Sequence, residues 1–146
     1  MLRIEMSEVV NRPVEDVWNV VTNFDNWIKV ARSGSEFRQT SAGAVGVGAT
    51  VESRRTVLGR TLKLARIVIT EYEPNRTFGM TVKLPGLRPG AMRFTFEPAP
   101  QGTRVTRSLE LRLGRGRLLE PVFAPLLRRS WRYELAAMKR LVEAGG

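Results

Sequence analysis

The chain is 146 residues long, with 42% hydrophobic and 26% charged residues, proportions that suit one globular domain spanning 1–146. It contains no histidine and no cysteine, which excludes Ser–His and Cys–His nucleophilic catalysis and thiolate-held zinc. Its 24 basic residues, mostly arginine, outnumber 14 acidic ones for a net charge of +10, spread along the chain rather than gathered in one block.

In chain order, "RIEMSEVV" (Arg3 to Val10) alternates, placing Ile4, Met6 and Glu8 on one face, and reads as a strand. Asn11-Arg12-Pro13 breaks it. Pro13 suits the first position of a helix, and Glu15 and Asp16 favour its first turn electrostatically. Val14, Val17, Trp18 and Val21 recur at helical spacing. Thr22 or Asn23 ends that helix and can cap a shorter second one, whose apolar face is Phe24, Trp27 and Ile28. From Ser35 to Leu113 the period changes to two. A short strand, Glu36 to Ser41, precedes the glycine loop "AGAVGVGA". Longer strands follow at Thr50 to Leu58, Thr61 to Glu73, Arg76 to Leu84, Ala91 to Pro98 and Thr103 to Leu113. The short breaks between them predict an antiparallel meander. After Gly114 and Gly116 the helical period returns: Leu119, Phe123, Leu126, Leu127, Trp131, Leu135, Met138 and Val142 form one stripe. Pro121 and Pro125 predict a kinked or late-starting helix.

The glycine loop lacks the lysine and following helix of a phosphate-binding loop and reads as a turn or lid. "LPGLRPGA" (Leu84 to Ala91) reads as a hairpin connection that could border a cavity mouth. The basic C-terminal helix reads as the cover of the sheet with a basic outer face. Its alternative is a helix lying on a membrane or an acidic partner. No apolar run is long enough to span a membrane, and Met1 to Val10 has no signal-peptide core, so a cytoplasmic location is expected. The scattered carboxylates suggest no metal site, and no cofactor is expected.

This order of elements resembles the START / Bet v 1-like (SRPBCC) superfamily. Within it the chain is most similar to the bacterial polyketide cyclase/dehydrase-type family. The resemblance rests on "RPVEDVWNVVTNFDNW", "VGVGATV" (Val45 to Val51), "ITEYEPNRTFGM" (Ile69 to Met80) and the G-T-x-V strand at Gly102 to Val105. It implies an α+β helix-grip fold: a strongly curved antiparallel sheet of about six to seven strands around a long C-terminal helix, with two short helices after the first strand. It also implies a cavity between sheet and helix that takes a hydrophobic or amphipathic small molecule, such as a lipid, a polyketide-like compound or an aromatic.

The resemblance places Phe24 and Trp27 of the shorter helix at the cavity's end, and strand parity and the C-terminal helical stripe supply the rest of the expected lining: Ile67, Ile69, Phe78, Met80, Val82, Met92, Phe94, Phe96, Leu109, Leu111, Phe123, Leu127 and Trp131. Two arginines break the inner parity. Arg55 and Arg107 are either cavity cations for the acidic end of a ligand, or structural residues paired with Glu52, Glu71 or Glu110, or turned outward by a bulge. Binding of a ligand requires no reaction. The resemblance also allows cyclase or dehydratase chemistry on a polyketide-like substrate, with Tyr72, Tyr133, Glu71, Glu110 and Asp25 as acid–base candidates and catalytic residues unassigned. A third reading is an interaction protein using its basic surface on lipid, RNA or an acidic protein. No sequence-specific nucleic-acid contact is expected. Trp18 and the valines of the first helix are expected to clamp it to the sheet, leaving the Phe24 cluster to touch ligand. The large side chains could equally fill the space.

Overall fold

Residues 2–30, 36–112, 118 and 120–145 are described in the computed structural model, without the side chains at positions 56, 57, 63, 64 and 123. Leu113, Gly114, Gly116 and Leu119, and the Phe123 side chain, therefore lie outside the described residues. The elements are β1 (Leu2–Val10), α1 (Val14–Val21), α2 (Phe24–Val30), β2 (Glu36–Gln39), β3 (Thr50–Val57), β4 (Arg60–Glu73), β5 (Thr77–Lys83), β6 (Gly90–Ala99), β7 (Gly102–Leu111) and α3 (Glu120–Glu143). The strands form one curved antiparallel sheet in the order β1-β7-β6-β5-β4-β3-β2. It is a meander from β2 to β7 with β1 added against β7, as short connections require.

Alternation gives the sheet one apolar face. On β7, Val105, Leu109 and Leu111 are buried, with Thr103 beside them. Opposite them on β1 stand Glu8, Ile4, Leu2 and Val10, in register. The cover is α3, which lies against β1 and buries Trp131, Leu135, Met138 and Val142. These recur at helical spacing along one stripe, as the sequence predicts. Pro121 stands in the first turn of α3, where a missing N–H costs nothing, and Pro125 lies inside the helix.

Pro13 is not the first helical residue of α1 but the residue before it, extended at ψ 154°. Thr22 closes α1, its hydroxyl donating to the Trp18 carbonyl at 2.7 Å. Asn23 accepts from the Asp25 N–H at 3.0 Å and starts α2. Asn26 Nδ2 donates to the Val20 carbonyl at 3.1 Å and Trp27 Nε1 to the Val21 carbonyl at 2.6 Å. Carbonyls at the end of α1 thus accept from side chains, those of Val20 and Val21 from α2, which fixes the angle between the helices; those of Trp18 and Val20 also accept the backbone N–H of Thr22 and Asn23.

Two irregularities in β4 decide which side chains face inward. Register with β5 shifts between Ile69 and Glu71, so Thr70 is extra and Tyr72, not Glu71, joins the inner face opposite Phe78. Register with β3 shifts at Ser53/Arg54, where β4 passes over Leu64. Beyond that point the β3–β4 hairpin outruns its cover.

Candidate functional site

The cavity between sheet and helices has a volume of about 50 Å³. A single water needs about 10–15 Å³ and a typical small-molecule site about 300–1,000 Å³. In this conformation it therefore holds only a small group. The reason lies in the aromatic residues. Trp18 meets Tyr72 and Phe96 edge-on with ring centres 5.2 Å apart, and Phe78 stacks on Phe94 at 6.4 Å. These rings occupy much of the space the parity argument assigns to a chamber.

The apolar lining comes from three layers. Val17 and Val21 descend from α1, and Trp27 and Val30 from α2. Phe94 and Val105 rise from the sheet, and Leu135 and Met138 close it from α3. Of the expected lining residues, Trp27, Phe94 and Arg107 border this space. Phe24, Ile67, Ile69, Phe78, Met80, Val82, Met92, Phe96, Leu109 and Trp131 are buried in the core but are not among its described lining residues. Leu111 and Leu127 instead line an apolar groove at one end of the sheet, with Leu2, Leu84, Leu87, Leu126 and Ser130. The division of labour expected of the two short helices holds for Trp27, which faces the cavity, but not for its neighbours. Val17 and Val21 of the supposed clamp face the cavity, whereas Phe24 packs between Trp27 and Phe78 and Ile28 is 42% exposed.

The two arginines part company. Arg55 is exposed, because it lies on the hairpin segment beyond the irregularity, opposite the half-exposed Leu62, where none of the described residues covers the sheet. Arg107 does point inward. It sits between Met6 of β1 and Phe94 of β6, and its side chain is 13% exposed. Its guanidinium stacks over the Trp131 ring at 4.0 Å and approaches Phe94 at 5.4 Å. Nη1 donates to Glu134 Oε2 at 3.1 Å. Nη2 has only the Met92 sulfur at 3.5 Å, and Nε is buried with no hydrogen-bond partner among the described residues. Burial pulls the guanidinium down from its ordinary value, and the charge and hydrogen bond of Glu134 push it back.

The partner of Arg107 is none of the three glutamates expected from sequence. Glu71 is held by Arg93 on the outer face, and Glu110 by Arg3 at 2.8 Å. Glu134 was detectable in principle. It lies three residues after Trp131 and four before Met138, on the buried edge of the α3 stripe, where an acidic residue is out of place unless paired. A second pair borders the same cavity: Lys139 reaches Glu8 at 3.5 Å. The cavity is thus an apolar pocket whose wall beside β1 and α3 carries alternating charges. Among the described residues, no three metal-ligating side chains cluster, and no helix is long and apolar enough to cross a membrane.

The profile of the family described as polyketide cyclase / dehydrase and lipid transport matches residues 1–143. Among curated proteins, none matches the sequence. Solved structures share the fold. A protein from Thermus thermophilus is similar with a TM-score of 0.76 at 15% identity, over 99% of both chains. One from Chromobacterium violaceum gives 0.75 at 17% identity, over 97% of both. The Bet v 1-like protein Ara h 8.0201 gives 0.75 at 15% identity, over 99% of both.

Proposed function

The chain belongs to the polyketide cyclase/dehydrase and lipid transport family, and from that premise we propose that it is a single binding domain for an amphipathic small molecule with an acidic end. The apolar part would enter between sheet and α3, displacing the flexible Met138 and neighbouring Leu135. The acidic end would take up the free donors of Arg107. The observation that carries this reading is Arg107 itself: a largely buried cation at an apolar cavity, stacked on Trp131, whose Nε–H has no partner among the described residues and whose Nη2 has only a sulfur acceptor. A buried charge with donors to spare is costly unless something completes it. Arginine is suited to a carboxylate or phosphate because its donors form a planar fork. Catalysis is no part of this reading, since the carboxylates at the cavity, Glu8 and Glu134, are each engaged by a cation.

Native mass spectrometry of protein purified from its own host tests the first half. A co-purifying amphiphile supports binding; its absence, together with no uptake of an environment-sensitive hydrophobic dye, overturns it. The second half is tested with fatty acids against their methyl esters. Arg107→Leu should weaken the acids about tenfold or more and the esters little. Equal losses would show that Arg107 serves only the fold.

A further inference from the structure

At one end of the sheet, exposed apolar side chains from separate segments gather among exposed arginines. In an antiparallel meander alternate connections fall at the same end. The β5–β6 connection, the start of β1 and the exit of β7 are therefore neighbours, and the β3–β4 hairpin runs out from the same end, past the last β4–β5 pair at Arg66 and Lys83. The start of α3 joins them, since Leu126 shares a groove of about 360 Å³ with Leu84 and Leu87.

Leu58, at the tip of the β3–β4 hairpin, is 98% exposed. It also has φ +51°, followed by Gly59 at +77°. Such a two-residue turn favours asparagine or aspartate before the glycine, because a leucine meets its own backbone there. Leu58 is thus a poor choice for the turn and a poor choice for water, and folding explains neither. Leu118 is 88% exposed, and Val122 and Leu126 follow at four-residue steps, each about 60% exposed. On α3 the face of Val122 and Leu126 continues into Arg129 and half-exposed Tyr133, and Leu118 precedes the helix. An apolar stripe running into arginine and tyrosine is the pattern of an element seated at a lipid–water boundary.

The surrounding charge is positive. Arg55 and Arg60 flank the hairpin tip, Arg88 stands on the β5–β6 connection, and Arg112 and Arg128 lie beside the groove's strands and helix, all exposed. Of the nearby acidic residues, Glu52 and Glu110 are held by Arg54 and Arg3, which leaves Glu36 and Glu120. We infer that this end of the molecule docks on an anionic lipid bilayer, inserting Leu58 and the Leu118–Val122–Leu126 stripe while the arginines meet the headgroups. Charge complementarity selects that occupant: exposed apolar side chains interspersed with exposed arginines at one end of the sheet match a surface that is anionic outside and hydrocarbon within.

The test is co-sedimentation of the full chain with vesicles of phosphatidylcholine alone and of phosphatidylcholine with phosphatidylglycerol. The chain should bind the anionic vesicles, and added salt should weaken binding. Leu58→Asn should lower partitioning about tenfold or more while raising thermal stability, because it suits the turn. Leu126→Asp should lower it comparably. Val47→Asp, an exposed apolar position in the β2–β3 loop at the opposite end, should leave it unchanged. The inference is independent of the cavity, so Arg107→Leu should also leave it unchanged. Failure to bind anionic vesicles, undiminished binding by Leu58→Asn and Leu126→Asp, or an equal loss from Val47→Asp would overturn it.

Discussion

Arg107 of β7 and Glu134 of α3 meet at 3.1 Å, an ion pair joining the sheet to the helix that covers it. Their side chains are 13% and 22% exposed, and the arginine lies flat on Trp131. One contact thus ties the cover to the cavity wall and sets the orientation of the cation inside.

Breaking this pair from one side should cost more than removing it. Glu134→Leu leaves Arg107 buried without its counter-charge and should destabilise by about 2–3 kcal/mol, moderated by the 13% of the side chain that stays exposed. The double variant Arg107→Leu/Glu134→Leu should be less destabilised than Glu134→Leu alone. Urea unfolding of the wild type, Arg107→Leu, Glu134→Leu and the double variant closes the cycle; an additive result would show that the pair is uncoupled.

Trp18 is the hub of the aromatic cluster, 5% exposed and in ring contact with Tyr72, Phe78 and Phe96. Trp18→Ala should cost about 3–5 kcal/mol, read as a lower denaturation midpoint at unchanged slope. A loss below about 1 kcal/mol would mean that the sheet holds α1 without it.

Filling the cavity should remove binding while sparing the fold. Val21 is 1% exposed and faces the cavity. Val21→Phe should cost about 1–3 kcal/mol through overpacking. It should also abolish uptake of hydrophobic dye and fatty acid while circular dichroism remains native. Retained uptake would place the ligand elsewhere, with the Leu84–Leu126 groove the next site to examine.

Gly102 opens β7 at φ +150°, and a Cβ there would lie 2.3 Å from the Val10 carbonyl oxygen. That crowding is with backbone and cannot be relieved by a rotamer change. Gly102→Ala should therefore separate the end of β1 from β7 and lower the melting temperature by several degrees, about 1–3 kcal/mol in stability. Hydrogen exchange should quicken first at Val10 and Thr103, which are cross-strand partners.

The elements and their order were readable because each follows from a local period or a turn signal. Alternation marked the strands, the Val14–Val21 spacing marked α1, and the Trp131–Val142 stripe marked α3. Parity failed where the register did. Nothing in "ITEYE" announces that Thr70 is the extra residue, so the inward place of Tyr72 and the outward place of Glu71 were out of reach. Arg55 and Arg107 look alike in sequence, each at an inner-parity position. Arg107 lies under α3, and Arg55 lies on a hairpin that none of the described residues covers.

Composition and periodicity by themselves determined the order of elements, the antiparallel meander with its helical cover, the absence of thiol and imidazole chemistry, and the excess of positive charge. They did so because propensity, alternation and charge are properties of a residue and its near neighbours. Only the tertiary structure decided that the aromatic residues fill most of the chamber, that Glu134 is the partner of Arg107, and that Leu58 shares an end of the molecule with Leu126. Those are relations between side chains far apart in the chain. They depend on register, on bulges and on which strand connections fall together, and a one-residue shift in pairing is enough to exchange the inside of a strand for its outside.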